Sequence, residues 1–79
     1  MKGRIEICVS SPPDREKLVA DVLVESDDGV LEQLLEINQE HDELQIEIYP
    51  RRSGEPWVFP YDVFLELLEK ARKRLVGDR

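Results

Sequence analysis

The chain has 79 residues, 41% of them hydrophobic and 37% charged, with a formal net charge of -7. That length supports one hydrophobic core and not two, so residues 1–79 are expected to form a single domain. A lone Cys8 has no partner for an internal disulfide, no segment approaches the roughly 20 apolar residues of a membrane span, and Met1 to Ser10 lack the apolar run of a secretory signal; a cytoplasmic protein with no membrane partner is expected.

Residues 4–10 alternate, with Ile5, Ile7 and Val9 on one side and Glu6, Cys8 and Ser10 on the other, the period of a half-buried strand. Ser11-Pro12-Pro13-Asp14 ends it, because two prolines supply no amide donors. A second strand begins near Lys17, and its period turns Leu18, Ala20, Val22 and Val24 to the core and Val19, Asp21, Leu23 and Glu25 away from it. Ser26-Asp27-Asp28-Gly29 has turn composition. The residues after it also suit a helix capped by Asp27 or Asp28. The preferred reading is a long loop or short helical turn to about Gln33, then a third strand at 34–39.

Glu40-His41-Asp42-Glu43 forms the next turn, and a fourth strand at 44–49 alternates Leu44, Ile46 and Ile48 inward with Gln45, Glu47 and Tyr49 outward. Pro50 to Pro60 is too rich in proline for a central strand, and its Trp57 and Phe59 are expected to close one end of the core while Arg51 and Arg52 pair with nearby acids. A helix is predicted from Pro60 to about Val76, with Phe64, Leu67, Leu68, Ala71 and Leu75 as its apolar stripe and Gly77 at its end. Glu66 with Lys70 and Glu69 with Lys73 are spaced to pair along it. The fold class is therefore α+β, a four-stranded antiparallel meander with one C-terminal helix on one face. Phe64, Leu67 and Leu68 are expected to bury against Ile7, Val22, Ile46 and Ile48.

Charge is placed unevenly. Between Leu18 and Pro50 stand ten acids and no lysine or arginine, whereas residues 51–79 carry seven bases against five acids. The acidic half repels nucleic acid and attracts basic proteins or cations. On the sheet face away from the helix, the alternation gathers Glu6, Asp21, Glu25, Glu36 and Glu47 with Cys8, Asn38 and Tyr49, and it interleaves Val19, Leu23, Leu34 and Tyr49 as apolar anchors. Acids around a few apolar anchors resemble an interface more than a solubilising coat. The candidate partner-binding residues are Asp21, Leu23, Glu25, Glu36, Asn38, Glu47 and Tyr49.

Nothing in the chain asks for catalysis. Cys8 and His41 are the one thiol and the one imidazole, with no further group in sequence to complete a nucleophilic site. Asp27, Asp28 and Glu32 do not follow a calcium-loop spacing, and the lone Gly54 belongs to no phosphate-binding pattern, so no metal, cofactor or enzymatic activity is expected.

The stretch Leu35-Glu36-Ile37-Asn38-Gln39-Glu40, then Leu44 to Pro50, Gly54-Glu55-Pro56-Trp57 and the helix from Tyr61, resembles a group of short bacterial proteins of no established activity. It also resembles the small acidic immunity proteins encoded beside polymorphic or contact-dependent toxins. The likeness spans residues 17–75, and it implies a cytoplasmic inhibitor that occludes a cationic toxin, often a nuclease. Three readings follow. The first is an acidic binding module that neutralises a basic protein, its carboxylates standing where the phosphates of a toxin's substrate would lie. The second is a homo-oligomeric structural or regulatory protein that buries its open sheet face against a symmetry mate. The third is a metal-dependent enzyme using Asp27, Asp28 and His41.

Overall fold

The computed structural model describes residues 4–77. Residues 1–3 and 78–79 lie outside it, and with them part of the segment read for a secretory signal. The element order is β1 (Ile5–Ser10), β2 (Val19–Glu25), β3 (Leu31–Asn38), β4 (Gln45–Ile48) and α1 (Tyr61–Val76). The four strands form one antiparallel sheet in sequential order, followed by the single helix, as the alternation and the helical stripe predict. Among the described residues no helix is long and apolar enough to cross a membrane.

The third strand begins earlier than expected, at Leu31 in place of a loop or helical turn. Asp27-Asp28-Gly29 closes a tight hairpin. Gly29 takes a left-handed backbone (φ 82°), and Ser26 and Val30 join across the loop through a 2.9 Å bond from the Ser26 N–H to the Val30 carbonyl. The Asp28 carboxylate accepts from the Ser26 hydroxyl (2.7 Å) and the Val30 N–H (3.1 Å). Its acidity is raised first by the Ser26 bond and then by the Val30 bond. These turn bonds serve a hairpin better than a helix start, since they direct the chain straight back along β2.

A bulge explains why β3 escaped simple alternation. Val22 faces Leu35 while Leu23 faces Gln33, which leaves Leu34 as an extra residue on β3. Both Leu34 and Leu35 are consequently buried, and the shift carries Glu32 to the helix side, opposite Val24. There Glu32 accepts from the Arg52 N–H (2.9 Å) and lies 3.6 Å from the guanidinium, while Arg52 also reaches Asp28 (3.4 Å).

The core joins Ala20, Val22, Val24, Leu34, Leu35 and Ile37 to Leu67 and Ala71 of the helix, with Ile7, Phe64 and Leu68 half-buried around it. Trp57, Phe59 and Phe64 stack in succession (centroids 6.1 and 5.5 Å apart), and Arg51 lies 5.2 Å from the Trp57 ring centroid. The Trp57 indole N–H donates to the Tyr49 carbonyl at 2.8 Å, so the proline-rich connector does close one end of the core.

Two expectations about packing fail. Leu18 precedes β2 and is 47% exposed, while Val19, assigned to the open face, is fully buried. The helix lies over β1 and β2, where Arg74 donates to the Ile7 carbonyl at 2.6 Å. Ile46 and Ile48 share the helix side of the sheet with Ile37 and Leu35, yet they remain 46% and 64% exposed because α1 does not reach them. The helix itself runs as predicted to Gly77, whose N–H caps the Lys73 carbonyl (2.8 Å). Glu69 pairs with Arg72 rather than Lys73, and the hydrogen bond from Arg72 holds its carboxyl below the usual range.

Candidate functional site

The face of the sheet away from α1 carries a row of side chains in direct lateral register. Cys8 of β1 stands opposite Asp21 of β2, Asp21 opposite Glu36 of β3, and Glu36 opposite Glu47 of β4. Facing residues in an antiparallel sheet bring their Cβ atoms to about 5 Å, a distance at which like charges repel. Three carboxylates on consecutive strands therefore need an offsetting charge or abundant hydrogen bonds.

The offset is Arg15, which the sequence reading did not single out. The β1–β2 connector, residues 11–18, folds back over this face. Arg15 Nη2 lies 2.9 Å from Glu36 and forms a second, shorter ion pair with Glu47. Partial burial disfavours the guanidinium charge, but Glu36 and Glu47 outweigh that effect and its pKa is raised. The Glu40 carboxylate holds the connector down by accepting from the N–H groups of Glu16 (3.0 Å) and Lys17 (3.2 Å), and the first of these bonds leads the causes that keep Glu40 below its ordinary pKa. Covering by the connector accounts for the burial of Val19 on the side that alternation marks as open. The available signal was Arg15 and Lys17 themselves, the last cations before the long acid-only stretch.

The connector divides the seven candidate residues. Asn38 is 1% exposed and Glu36 8%, so both act beneath the surface. Asn38 donates to Glu47 (3.0 Å) and Glu36 (3.4 Å) and accepts from the Glu40 N–H (3.4 Å), which makes it a spacer between carboxylates. Asp21 is half-buried and accepts from Gln33 (2.6 Å) and Ser10 (3.3 Å). Leu23, Glu25 and Tyr49 are half-buried and Glu47 is exposed. Burial, followed by the nearby Glu36 and Glu47 charges, raises the pKa of Tyr49, consistent with its place beside the carboxylate row. Leu34 does not belong to this face, because the bulge turns it towards Phe59 and Phe64. Of the four expected anchors, Leu23 and Tyr49 remain.

The other chemical candidates do not assemble. Cys8 and His41 are exposed, on β1 and in the β3–β4 turn respectively. Asp28 and Glu32 both engage Arg52, and among the described residues no group of three His, Cys, Asp or Glu side chains is arranged to hold a metal ion. No protein-family profile, curated protein or solved structure matches this chain.

Proposed function

We propose that the chain is a non-catalytic binding module that captures a basic protein through the carboxylate row of its sheet. In the narrower form of the reading it is an immunity-type inhibitor of a cationic toxin. One observation carries the reading: the row already binds a guanidinium, since Arg15 sits between Glu36 and Glu47. Three carboxylates against one guanidinium leave the row formally at -2. Asp21, Glu25 and Glu47, together with Leu23 and Tyr49, are the members a partner can touch. Their charges speed encounter, and burial of the two apolar side chains slows release. Self-association through the same face would set like charges against each other across a twofold axis.

The experiment is calorimetric titration with the product of the adjacent reading frame, at about 0.05 and 0.5 M salt, where the Debye length falls from roughly 14 to 4 Å. Reversing Glu36 would bury a lysine beside Arg15, so the informative variant is the neutral pair Asp21→Asn with Glu47→Gln. Weaker binding with a flatter salt dependence is expected. Unchanged affinity and unchanged salt dependence in that variant would remove the carboxylate row from the interface.

A further inference from the structure

We infer that β4 is a dimerisation edge, at which a second copy of this chain pairs antiparallel about a twofold axis through Ile46. The hydrogen-bond pattern of the sheet points to it. Tyr49 donates its N–H to the Leu34 carbonyl at 2.9 Å, so by alternation Gln45 and Glu47 also direct their main-chain groups to β3. Ile46 and Ile48 then point theirs away from the sheet, and among the described residues no other segment bonds to them. The opposite edge is capped. Glu25 donates its N–H to the Arg4 carbonyl at 2.8 Å, the same alternation turns Ile5, Ile7 and Val9 outward on β1, and Arg74 of α1 takes the Ile7 carbonyl at 2.6 Å. An edge strand without lysine, proline or a covering segment is a template for another strand. Only β4 fits that description, since all four of its residues are exposed and none is lysine or proline.

Charge selects a second copy and fixes its register. Facing residues of an antiparallel pair lie on one face of the sheet, so Leu44, Ile46 and Ile48 of the two copies meet only one another. A twofold axis through Glu47 would set two carboxylates directly opposite, and an axis through Gln45 would set Glu43 against Glu47. With the axis through Ile46 neither clash arises. Ile46 meets its own copy, Leu44 meets Ile48, and Gln45 meets Glu47, an amide against a carboxylate. All three apolar side chains are exposed in the single chain, and this pairing covers them with each other. The Asp42-Glu43 turn of each copy comes to the Pro50-Arg51 end of the other, and none of Asp42, Glu43 and Arg51 has an ion pair among the described residues. Both helices lie on one side of the joined sheet and both carboxylate rows on the other, so the dimer forms without covering either row.

Leu44 to Ile48 extends about 13 Å, and an edge of that length buries less than the roughly 800 Å² per partner of a standard interface. Sedimentation equilibrium from about 1 µM to 1 mM should therefore show a monomer passing to a dimer within that range. Over the same range the Ile46 and Ile48 amides should gain protection from hydrogen exchange, while the Leu35 amide keeps its rate. Position 45 tests the register. Gln45→Lys, which sets an ammonium opposite Glu47 of the other copy, should tighten the dimer about threefold, and Gln45→Glu should weaken it at least as much. Glu66→Gln, at an exposed position on α1, makes the same change in net charge as Gln45→Lys and should fall well short of its effect. Ile46→Lys should weaken the dimer about tenfold or more with an unchanged circular dichroism spectrum. A monomer at every concentration, or a dimer whose Ile46 and Ile48 amides exchange as in the monomer, would overturn the proposal. So would equal effects of Gln45→Lys and Gln45→Glu, or of Gln45→Lys and Glu66→Gln.

Discussion

Arg15 Nη2 lies 2.9 Å from the Glu36 carboxylate and also meets Glu47, so one guanidinium ties the β1–β2 connector to β3 and β4 together. Removing it leaves facing carboxylates without their counterion. Arg15→Gln should lower the melting temperature and release the connector. Amide hydrogen exchange at Glu16 and Lys17 is the readout, because their N–H groups rest on Glu40 only while the connector is docked. The same variant should bind a cationic partner more tightly, since the row regains one negative charge. Unchanged exchange at both amides would show that Arg15 does not hold the connector.

Asn38 is a fully buried amide wedged between Glu36 and Glu47. Asn38→Ala should cost about 1 to 3 kcal/mol, the usual range for a lost buried hydrogen-bonding group. Asn38→Asp should cost more, because it replaces a donor with a third carboxylate at the same point. Urea unfolding decides between them, and a milder effect for the aspartate would mean that the pocket admits water or a cation.

The Glu40 anchor is sensitive to acid. Its carboxyl titrates below its ordinary 4.5, chiefly through the Glu16 N–H. A depressed acid stabilises the folded state fully above its unfolded pKa and loses that stabilisation as pH falls through the lowered folded value. Exchange at Glu16 and Lys17 should therefore rise below about pH 4.5, ahead of core amides such as Leu35. Glu40→Gln should show fast exchange at both amides throughout and no such transition. Simultaneous loss of connector and core protection in the wild type would contradict this order.

Period-2 alternation made β1, β2 and β4 legible, and proline, apolar stripe and glycine bounded α1 within a residue. What stayed hidden has identifiable causes. Leu34-Leu35 breaks the period, and only pairing with β2 shows that the break is a bulge inside a strand rather than a loop before one. Val19 and Leu18 exchanged roles because the strand starts two residues later, at Val19, and a loop covers its open side. The carboxylate row could be read from period alone, since Asp21, Glu36 and Glu47 depend only on register. Its counterion could not, because Arg15 arrives from a connector whose path depends on Glu40. Nor does any local pattern say which strands one helix will cover.

Cys8→Ala and His41→Ala should leave stability and partner binding unchanged. Both side chains are exposed, and neither has a hydrogen bond or ion pair among the described residues. Loss of any activity from either substitution in a folded protein, followed by its return on reversion, would reopen the enzymatic reading.

The position of α1 predicts an asymmetry between two apolar substitutions. Leu67 is buried among Val22, Leu35 and Ala71, so Leu67→Ala removes a side chain enclosed by core neighbours and should cost about 2 to 5 kcal/mol. Ile48 has equal hydrophobicity and lies on the same side of the sheet, beside Leu35, but nearly two-thirds of it meets solvent. Little apolar area is lost on its truncation, and Ile48→Ala should cost under about 1 kcal/mol. Urea unfolding of both variants, compared at equal m-value, provides the measurement. A helix seated over β3 and β4 would reverse the expectation for Ile48, raising its cost to that of a core residue. Comparable losses from the two substitutions would therefore place α1 across the sheet rather than over β1 and β2.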